Sequence, residues 1–372
     1  MSKYSLFART TVYDRAMPDT DIQAIAKNCT KLLNRHRPRS VQQRLQRVAD
    51  SPLSLERNDN YGNGGVVSEL EREVAALLGK EDAVFMPSGI MAQLIAVRIW
   101  SDRAANKKIA FHPTSHLYLH EEMAYRDLHG LDEVLLGQPD SLFTLQDIEA
   151  MPDVSSVLIE LPQREIGGQL PSWDELVAIT DRVRKQGIKL HLDGARLWQC
   201  APFYERDYAE ISALFDSVYV SFYKVLDGFP GAILAGEKDF IDEARIWRRR
   251  HGGTLQQQSP AAISAKMGLQ SELPKIPGFV ARTKQIADEL RVFPQLKLVP
   301  EYPQINMFHI HFQGDPEKLL KAAIQVAEEE RAGLFFGLSK SGIYEYEICD
   351  GADDFAPGEV HRLFSRLFEL AN

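Results

Sequence analysis

Short apolar runs alternate with segments of helical periodicity from about residue 65 to residue 270. The runs predict strands at Ala83–Met86, Lys108–Phe111, Glu133–Leu136, Val157–Leu161, Lys189–Asp193, Val218–Phe222 and Ala232–Ala235. Short apolar strands that alternate with helices form a mainly parallel sheet covered by helices on both faces. The pattern therefore predicts an α/β fold for this part of the chain.

Two capping-box sequences indicate where helices begin. Ser68 and Glu71 stand three residues apart before the repeat of Leu70, Val74 and Leu77, and Gly79 can end that helix. Ser172–Glu175 is a second capping box, which opens the helix before Lys189.

The order of elements changes after about residue 270. Helical patterns at 276–291, 315–329 and 357–370 are separated by apolar runs at 296–299, 307–312 and 343–348, which predicts a smaller α+β domain. The first 50 residues are polar and helix-like. We expect a helical segment over 1–50 that packs on the small domain, a large domain over 51–273 and the small C-terminal domain over 274–372.

Composition and charge exclude several classes of protein. The 372 residues carry 43 Lys and Arg against 52 Asp and Glu, a formal charge of −9 that argues against a nucleic-acid partner. No apolar stretch approaches the length of a membrane span, and the N-terminus lacks the apolar core of a signal peptide. The three cysteines are far apart in the sequence. We expect a soluble protein of the cytoplasm.

The most informative polar segment is His191–Arg196, where an apolar strand ends in Asp193. Ligands of open α/β sheets bind beyond the carboxyl ends of strands, so Asp193 is a candidate site residue. The alternative is that Asp193 caps a helix, which requires no ligand.

Lys224 follows the strand candidate at 218–222, and its position changes the interpretation of Asp193. Most lysines are solvated surface charges. A pyridoxal phosphate (PLP) enzyme, however, needs an amine for a Schiff base and an acid that faces the pyridine nitrogen. Asp193 and Lys224 at two strand ends supply this pair.

Two further segments fit a bound cofactor. The turn at 86–91, between a strand and a helix, can hold a phosphate on backbone N–H groups, with Gly89 allowing close approach; a plain turn is the alternative. His116 could stack on a flat ring. A zinc site at His116, His120 and Glu121 is the competing interpretation of that segment, but the His-Glu-x-x-His order is absent.

Together these segments resemble the threonine aldolase and β-eliminating lyase family of fold-type-I PLP enzymes, from about Asn60 to Gln257. Tyr61–Asn63, the Pro-Ser-Gly turn at 87–89 and His116 are similar to family segments. His-Leu-Asp-Gly-Ala-Arg at 191–196 is the most specific match, and Ser-Phe-Tyr-Lys at 221–224 resembles the family's Ser-x-Ser-Lys. The resemblance implies an aspartate-aminotransferase-like large domain that binds PLP, with a smaller C-terminal domain.

The resemblance also implies roles for individual residues. Lys224 carries the Schiff base, Asp193 pairs with the pyridine nitrogen, and Arg196 contacts the ring hydroxyl and the substrate carboxylate. Lys224 and His116 are the candidates for moving protons. The implied cofactor-binding residues are Ser88, Gly89, Ile90, His116, Asp193, Arg196, Ser221 and Lys224, and the implied substrate-binding residues are Tyr61, Gln163 and Arg196; no metal is implied.

Several positions depart from the family pattern. Ile90 stands where threonine is usual, and Gln163 falls where the family has a histidine. The family's C-terminal carboxylate-binding arginine has no clear match around Tyr344. Cofactor residues are thus largely retained, whereas substrate-side residues differ, and threonine is expected to be a poor substrate.

The sequence therefore predicts a PLP-dependent carbon–carbon lyase that acts on a small β-hydroxy amino acid. An aminotransferase or racemase of the same fold remains an alternative because these enzymes share the cofactor, and a non-catalytic relative is a further one. Family members build each site across a two-fold interface, which implies a homodimer or homotetramer. Tyr61 is a candidate to reach the neighbouring site.

Overall fold

The computed structural model of the protein describes residues 22–372, and its contacts divide the chain into two compact units. The large unit consists of residues 39–165 and 169–275. The small unit contains, among the described residues, 22–38, 166–168 and 276–372. Residues 39–50 thus group with the large unit, whereas the sequence predicts them with the small domain. Residues 1–21 of that predicted segment lie outside the described residues.

The elements alternate between strand and helix in the order that the apolar pattern predicts. The strands are β1 Lys31–Leu32, β2 Asp82–Met86, β3 Lys108–Phe111, β4 Asp132–Leu135, β5 Ser156–Glu160, β6 Lys189–Gly194, β7 Ser217–Ser221, β8 Ala232–Gly236, β9 Leu296–Val299, β10 Met307–Phe312, β11 Ala332–Gly333 and β12 Ile343–Glu347. The helices are α1 Ile22–Asn28, α2 Val41–Asp50, α3 Gly65–Leu77, α4 Gly89–Ala104, α5 His116–Leu119, α6 Ala124–Asp127, α7 Leu145–Ala150, α8 Trp173–Lys185, α9 Ala201–Tyr204, α10 Tyr208–Ala213, α11 Lys238–Arg250, α12 Ser259–Ser271, α13 Ile276–Arg291, α14 Pro316–Glu330 and α15 Glu359–Ala371.

The large unit is built on a seven-stranded sheet in the order β2-β8-β7-β6-β5-β3-β4. β8 is antiparallel to both of its neighbours, and the pairings from β7 to β4 are parallel. All strands except β8 therefore run in one direction. The predicted α/β class with a mainly parallel sheet is confirmed. Because their carboxyl ends lie at the same edge, the residues that follow these strands can form one site.

Each strand of this sheet begins and ends within one residue of its predicted limits. Buried parallel strands are apolar along their whole length, so their limits coincide with the ends of the apolar runs. β5 and β7, for example, are buried at every position.

One of the two predicted helix starts is wrong. α3 begins at Gly65, and Ser68 lies inside its first turn, where its hydroxyl accepts a hydrogen bond from the amide of Gly64 at 2.9 Å. Gly64 takes the N-cap position with φ +79°, a left-handed backbone that glycine adopts without strain. The capping box of Ser172 and Glu175 is confirmed at the start of α8.

One face of the large sheet packs against α4 and α11 through a continuous apolar cluster. Ile95 and Trp100 of α4 and Phe240 of α11 are buried there, and the Trp100 and Phe240 rings stack at 4.5 Å. Burial of each large apolar side chain contributes about 1.5–3 kcal/mol. This packing fixes α4, and therefore its first residue Gly89, against the sheet.

The small unit has its own core around an antiparallel sheet, β12-β10-β9, and the short parallel pair of β1 and β11. Its buried cluster includes Leu33, Phe308, Phe335 and Phe364, and Ile22 of α1 packs against it. The mixture of helices with an antiparallel sheet is the α+β arrangement that the sequence predicts.

Three kinds of feature are absent from residues 22–372. None of the helices in this range combines the length and apolar character that a membrane span requires. No group of three or more His, Cys, Asp or Glu side chains in the same range is placed to hold a metal ion. Cys29, Cys200 and Cys349 are free thiols, so this range contains no disulfide bond.

Candidate active site

A cleft opens in the large unit at the edge where the parallel strands end. Its lining residues are Gly89, Ile90, Gln93, His116, Glu160, Asp193, Ala195, Arg196, Tyr219, Tyr223 and Lys224. Six of the ten predicted site residues are thus brought together in one cleft. The other four, Ser88, Gln163, Ser221 and Tyr61, are not among the lining residues.

Lys224 lies in the turn that follows β7 and is half-buried. The amide of Asp227 donates to its carbonyl at 2.9 Å, which tightens this turn. The ammonium group lies 5.9 Å from the centroid of the Tyr223 ring. A partly desolvated amine at the cleft wall has the position required of a nucleophile that joins an aldehyde.

Asp193 is buried near the end of β6, where its register partners are Glu160 on β5 and Tyr219 on β7. One of its carboxylate oxygens, Oδ1, accepts a hydrogen bond from the amide of Ala195 at 3.1 Å. The alternative that Asp193 is a helix cap is wrong, because β6 continues to Gly194 and the next helical turn begins only at Leu197. A buried carboxylate that lines a cleft is instead available to a ligand.

Arg196 and Ser221 are linked through one turn. The Ser221 hydroxyl donates to the carbonyl of Ala195 at 2.8 Å, and the Trp198 indole N–H donates to the Ser221 carbonyl at 2.8 Å. These bonds hold the segment that carries Arg196, which is largely buried and lines the cleft. In this structure Ser221 supports the turn, whereas the guanidinium of Arg196 provides a positive charge at the cleft.

The amino terminus of α4 forms another wall. Ser88 is the N-cap, and its hydroxyl accepts from the amide of Met91 at 3.3 Å. The first N–H groups of any α-helix, here those of Gly89 and Ile90, have no acceptor within the helix. A Cβ added at Gly89 would lie 1.9 Å from the Tyr219 hydroxyl, so this turn accommodates only glycine at that position.

His116 begins the short helix after β3 and makes a hydrogen bond with a buried carboxyl group. Its Nδ1 lies 2.9 Å from Glu121 Oε1, and the same oxygen accepts from Gln93 Nε2 at 3.2 Å. The other oxygen, Oε2, and the Gln93 Oε1 atom have no hydrogen-bond partner among the described residues. The chain Gln93–Glu121–His116 thus ends at the cleft.

Burial determines the protonation of this chain. It raises the pKa of Glu121 to about 8, with the charge of Asp193 as the second cause, and it lowers the pKa of His116 to about 4. Both groups are therefore mainly neutral at pH 7. With the ring proton on Nδ1, where it is donated to Glu121 Oε1, the lone pair of Nε2 is a base.

Glu160 and Gln163 form a second buried polar group beside Asp193. Glu160 accepts from the amides of His116 at 3.3 Å and Arg164 at 3.2 Å. Gln163 Nε2 donates to Glu160 Oε2 and to the Thr114 hydroxyl, both at 3.3 Å. Burial, followed by the charge of Asp193, raises the pKa of Glu160 to about 8. The Gln163 amide is thus committed to neighbouring protein groups.

Tyr61 is not among the residues that line the cleft. Its side chain is exposed, and its amide donates to the carbonyl of Gln256 at 3.0 Å. Its role in binding substrate at a neighbouring site stays a prediction.

Sequence comparison agrees with this geometry. Residues 52–313 match the sequence model of the family described as Beta-eliminating lyase, which is more than half of the chain. The chain belongs to the beta-eliminating lyase family. Its low-specificity L-threonine aldolase 1 relative from Arabidopsis thaliana is 25% identical over 297 residues, which cover 77% of this chain and 82% of the relative.

Two solved structures are similar to this member of the beta-eliminating lyase family over almost the whole chain. One is a proposed L-allo-threonine aldolase from Listeria monocytogenes EGD-E, with 40% identity, a TM-score of 0.90 and coverage of 94% of this chain and 98% of that chain. The other is a proposed aromatic amino acid beta-eliminating lyase/threonine aldolase from Exiguobacterium sp. 255-15, with 39% identity, a TM-score of 0.90 and coverage of 94% and 100%.

This beta-eliminating lyase is a PLP-dependent enzyme, and the residues of its cleft fit that cofactor. The fit rests on the donor set. A half-buried amine, a buried carboxylate and a glycine at a helix start line one cleft, as an aldehyde, a pyridine nitrogen and a phosphate require. Lys224, Asp193 and the turn at Gly89 would hold these three groups, respectively.

The structure adds cleft residues that the sequence did not identify, namely Gln93, Glu160, Ala195, Tyr219 and Tyr223. Glu160 ends a buried strand beside that of Asp193, which is the same signal that identified Asp193. Gln93 lies one turn into α4 from Gly89, so helical spacing could have suggested it. Tyr219 gave no such signal because its five-residue strand is buried at every position.

Proposed function

We propose that this protein cleaves the Cα–Cβ bond of a small β-hydroxy α-amino acid of the threonine type and releases glycine and an aldehyde. The observation that carries the proposal is the placement of Lys224, Asp193 and Arg196 on one cleft of the large unit. Relatives named as threonine aldolases support the reaction class and the substrate class.

Three residues bind the reactants in this proposal. Pyridoxal phosphate, when bound, supplies an aldehyde that joins amines and a ring that accepts the electrons of a bond broken at Cα. Lys224 would hold the cofactor through its amine. Asp193 would keep a proton on the pyridine nitrogen, and Arg196 would bind the substrate carboxylate.

His116 is the proposed base. Cleavage requires that the β-hydroxyl lose its proton while its C–O bond becomes a carbonyl and the Cα–Cβ bond breaks. The neutral His116 ring can take this proton on Nε2, since Nδ1 is engaged with Glu121. Cα then gains a proton from Lys224 or His116, which completes glycine. Such general-base help is worth about 10²–10⁴-fold.

We also propose that the protein is a homodimer or homotetramer of the cytoplasm. Two-fold dimers are the commonest oligomers, and exposed Tyr61 is the candidate to contribute to a neighbouring site. Free thiols at all three cysteines are consistent with a reducing compartment.

A panel of amino acids tests the reaction type. Threonine, allo-threonine, β-phenylserine and β-chloroalanine are incubated with the PLP-loaded enzyme, and glycine, aldehyde, pyruvate and ammonia are measured. We expect glycine and aldehyde in equal amounts from a β-hydroxy substrate. Threonine itself should turn over well below the enzyme median of about 10 s⁻¹, because Gln163 stands where the family has a histidine and cannot serve as a second base beside His116. Pyruvate and ammonia as the only products would contradict the proposal.

A further inference from the structure

Two phenol groups meet the amino terminus of α4. Phosphate sites at helix starts commonly combine free backbone N–H groups with side-chain donors. In this chain Ile90 has no hydroxyl to offer, and Ser88 is not among the residues that line the cleft. The side-chain O–H groups that line the cleft are instead those of Tyr219 and Tyr223.

Tyr219 lies directly beneath the first turn of α4. Its side chain is buried in the cluster that joins α4 to the sheet, together with Ala92 and Ile95. An ideal Cβ on Gly89 would lie 1.9 Å from its hydroxyl and 2.3 Å from Cζ, so the phenol touches the backbone of the turn itself. The hydroxyl is therefore held at the point where the helix N–H groups emerge.

Tyr223 approaches Tyr219 from the open side of the cleft. It is 42% exposed, lines the cleft and directly precedes Lys224. Burial raises the pKa of Tyr219 well above its ordinary value. Both phenols line the same cleft as Gly89, and the part-exposed Tyr223 hydroxyl has a proton that it can donate to a ligand there.

We propose that the Tyr223 hydroxyl donates to the phosphate of bound pyridoxal phosphate and that Tyr219 positions it. The phosphate then accepts from the backbone N–H groups of Gly89 and Ile90 on one side and from a phenol on the other. Tyr219 is a positioning residue in this arrangement, because it supports the turn at Gly89 and lies beside Tyr223 in the cleft wall. The inference rests on the PLP dependence of the protein, not on its choice of amino acid.

Binding of pyridoxal phosphate and pyridoxal to the cofactor-free enzyme tests this assignment. The two aldehydes share the ring and differ in the phosphate, so the ratio of their dissociation constants isolates phosphate recognition. We expect Tyr223→Phe to weaken pyridoxal phosphate about 10- to 100-fold, the effect of one hydrogen bond to a charged group, and to leave pyridoxal unchanged. Tyr219→Phe should lower the preference for pyridoxal phosphate over pyridoxal by a smaller factor.

Tyr302→Phe is the matched control, since Tyr302 is an exposed phenol of the small unit. It should leave both constants unchanged. Equal weakening of both ligands by Tyr223→Phe, or no change in either, would overturn the phosphate assignment. A wild-type protein that binds neither aldehyde would contradict the cofactor instead, so the two failures are distinguishable. Circular dichroism of each variant verifies that the ratios refer to folded protein.

Discussion

Three buried carboxyl groups lie in or beside the cleft, and their surroundings give them different tasks. Glu121 and Glu160 are mainly neutral at pH 7, because burial and the charge of Asp193 raise the pKa of each to about 8. Each is also engaged by protein donors, Gln93 and His116 for Glu121 and two amides for Glu160. Asp193 is the carboxylate that faces the ligand.

The raised pKa of Glu160 predicts how stability depends on pH. The unfolded carboxyl titrates near 4.5, and the folded one near 8. Between these values the folded state holds a proton that the unfolded state has lost, so the free energy of unfolding falls as the pH rises through this window. Glu160→Gln cannot lose a proton. The Tm of Glu160→Gln minus the Tm of the wild type should therefore be several degrees more positive at pH 8 than at pH 5.

Thermal denaturation at the two pH values measures this difference. Glu301→Gln, at an exposed position of the small unit, is the control and should show no such pH-dependent change. A Tm difference between Glu160→Gln and the wild type that is the same at pH 5 and pH 8 would show that Glu160 is ionised in the folded protein.

Asp193→Asn tests the pyridine contact. An amide cannot keep the ring nitrogen protonated, so the cofactor should bind more weakly and turnover should fall by orders of magnitude. Absorbance titration with pyridoxal phosphate and steady-state kinetics on the best substrate of the panel provide the two readouts. Near-normal turnover in a folded variant would mean that Asp193 has only a structural role.

At the scale of elements, the first turn of α4 leaves the least space for substitution. Gly89→Ala places a methyl group against the buried Tyr219 phenol, and overpacking of this kind costs about 1–3 kcal/mol. Gly278→Ala, in α13, meets no atom within 4 Å and should stabilise by up to about 1 kcal/mol through helix propensity. Urea denaturation should therefore show a lower free energy of unfolding for Gly89→Ala and a higher one for Gly278→Ala than for the wild type. Equal effects would contradict the close contact at Gly89.

The elements themselves were largely predictable. The limits of the sheet strands follow from uninterrupted apolar runs, and the start of α8 follows from its capping box. The start of α3 could not be predicted because a glycine with a left-handed backbone at Gly64 replaced the side-chain cap expected at Ser68. Such a start depends on backbone geometry and leaves little signal in residue type.

The site was predictable where residues follow strand ends and not where contacts cross the sheet. Asp193 and Lys224 were identified because each comes directly after an apolar run. The sequence placed Gln163 near the substrate, but it gave no sign that the Gln163 amide donates to Glu160 and Thr114. The contact between Tyr219 and Gly89 joins residues 130 positions apart, which no local pattern reveals.

At the scale of the whole molecule, the proposed sharing of sites between subunits predicts the oligomeric state. Light scattering at micromolar concentration should give the mass of a dimer or tetramer of the 372-residue chain. Dilution below the dissociation constant of that assembly should abolish activity, because each site would then lack its neighbour's residues. A fully active monomer would contradict this proposal.

Lys224 is the centre of the account, because every proposed role depends on a cofactor held at that amine. Borohydride reduction fixes pyridoxal phosphate to the amine that binds it, and peptide mass spectrometry then identifies the modified lysine. We predict one modification per chain, on Lys224, and none in Lys224→Ala. A modification of the wild-type protein at another lysine, or one retained at the active site of Lys224→Ala, would contradict the account.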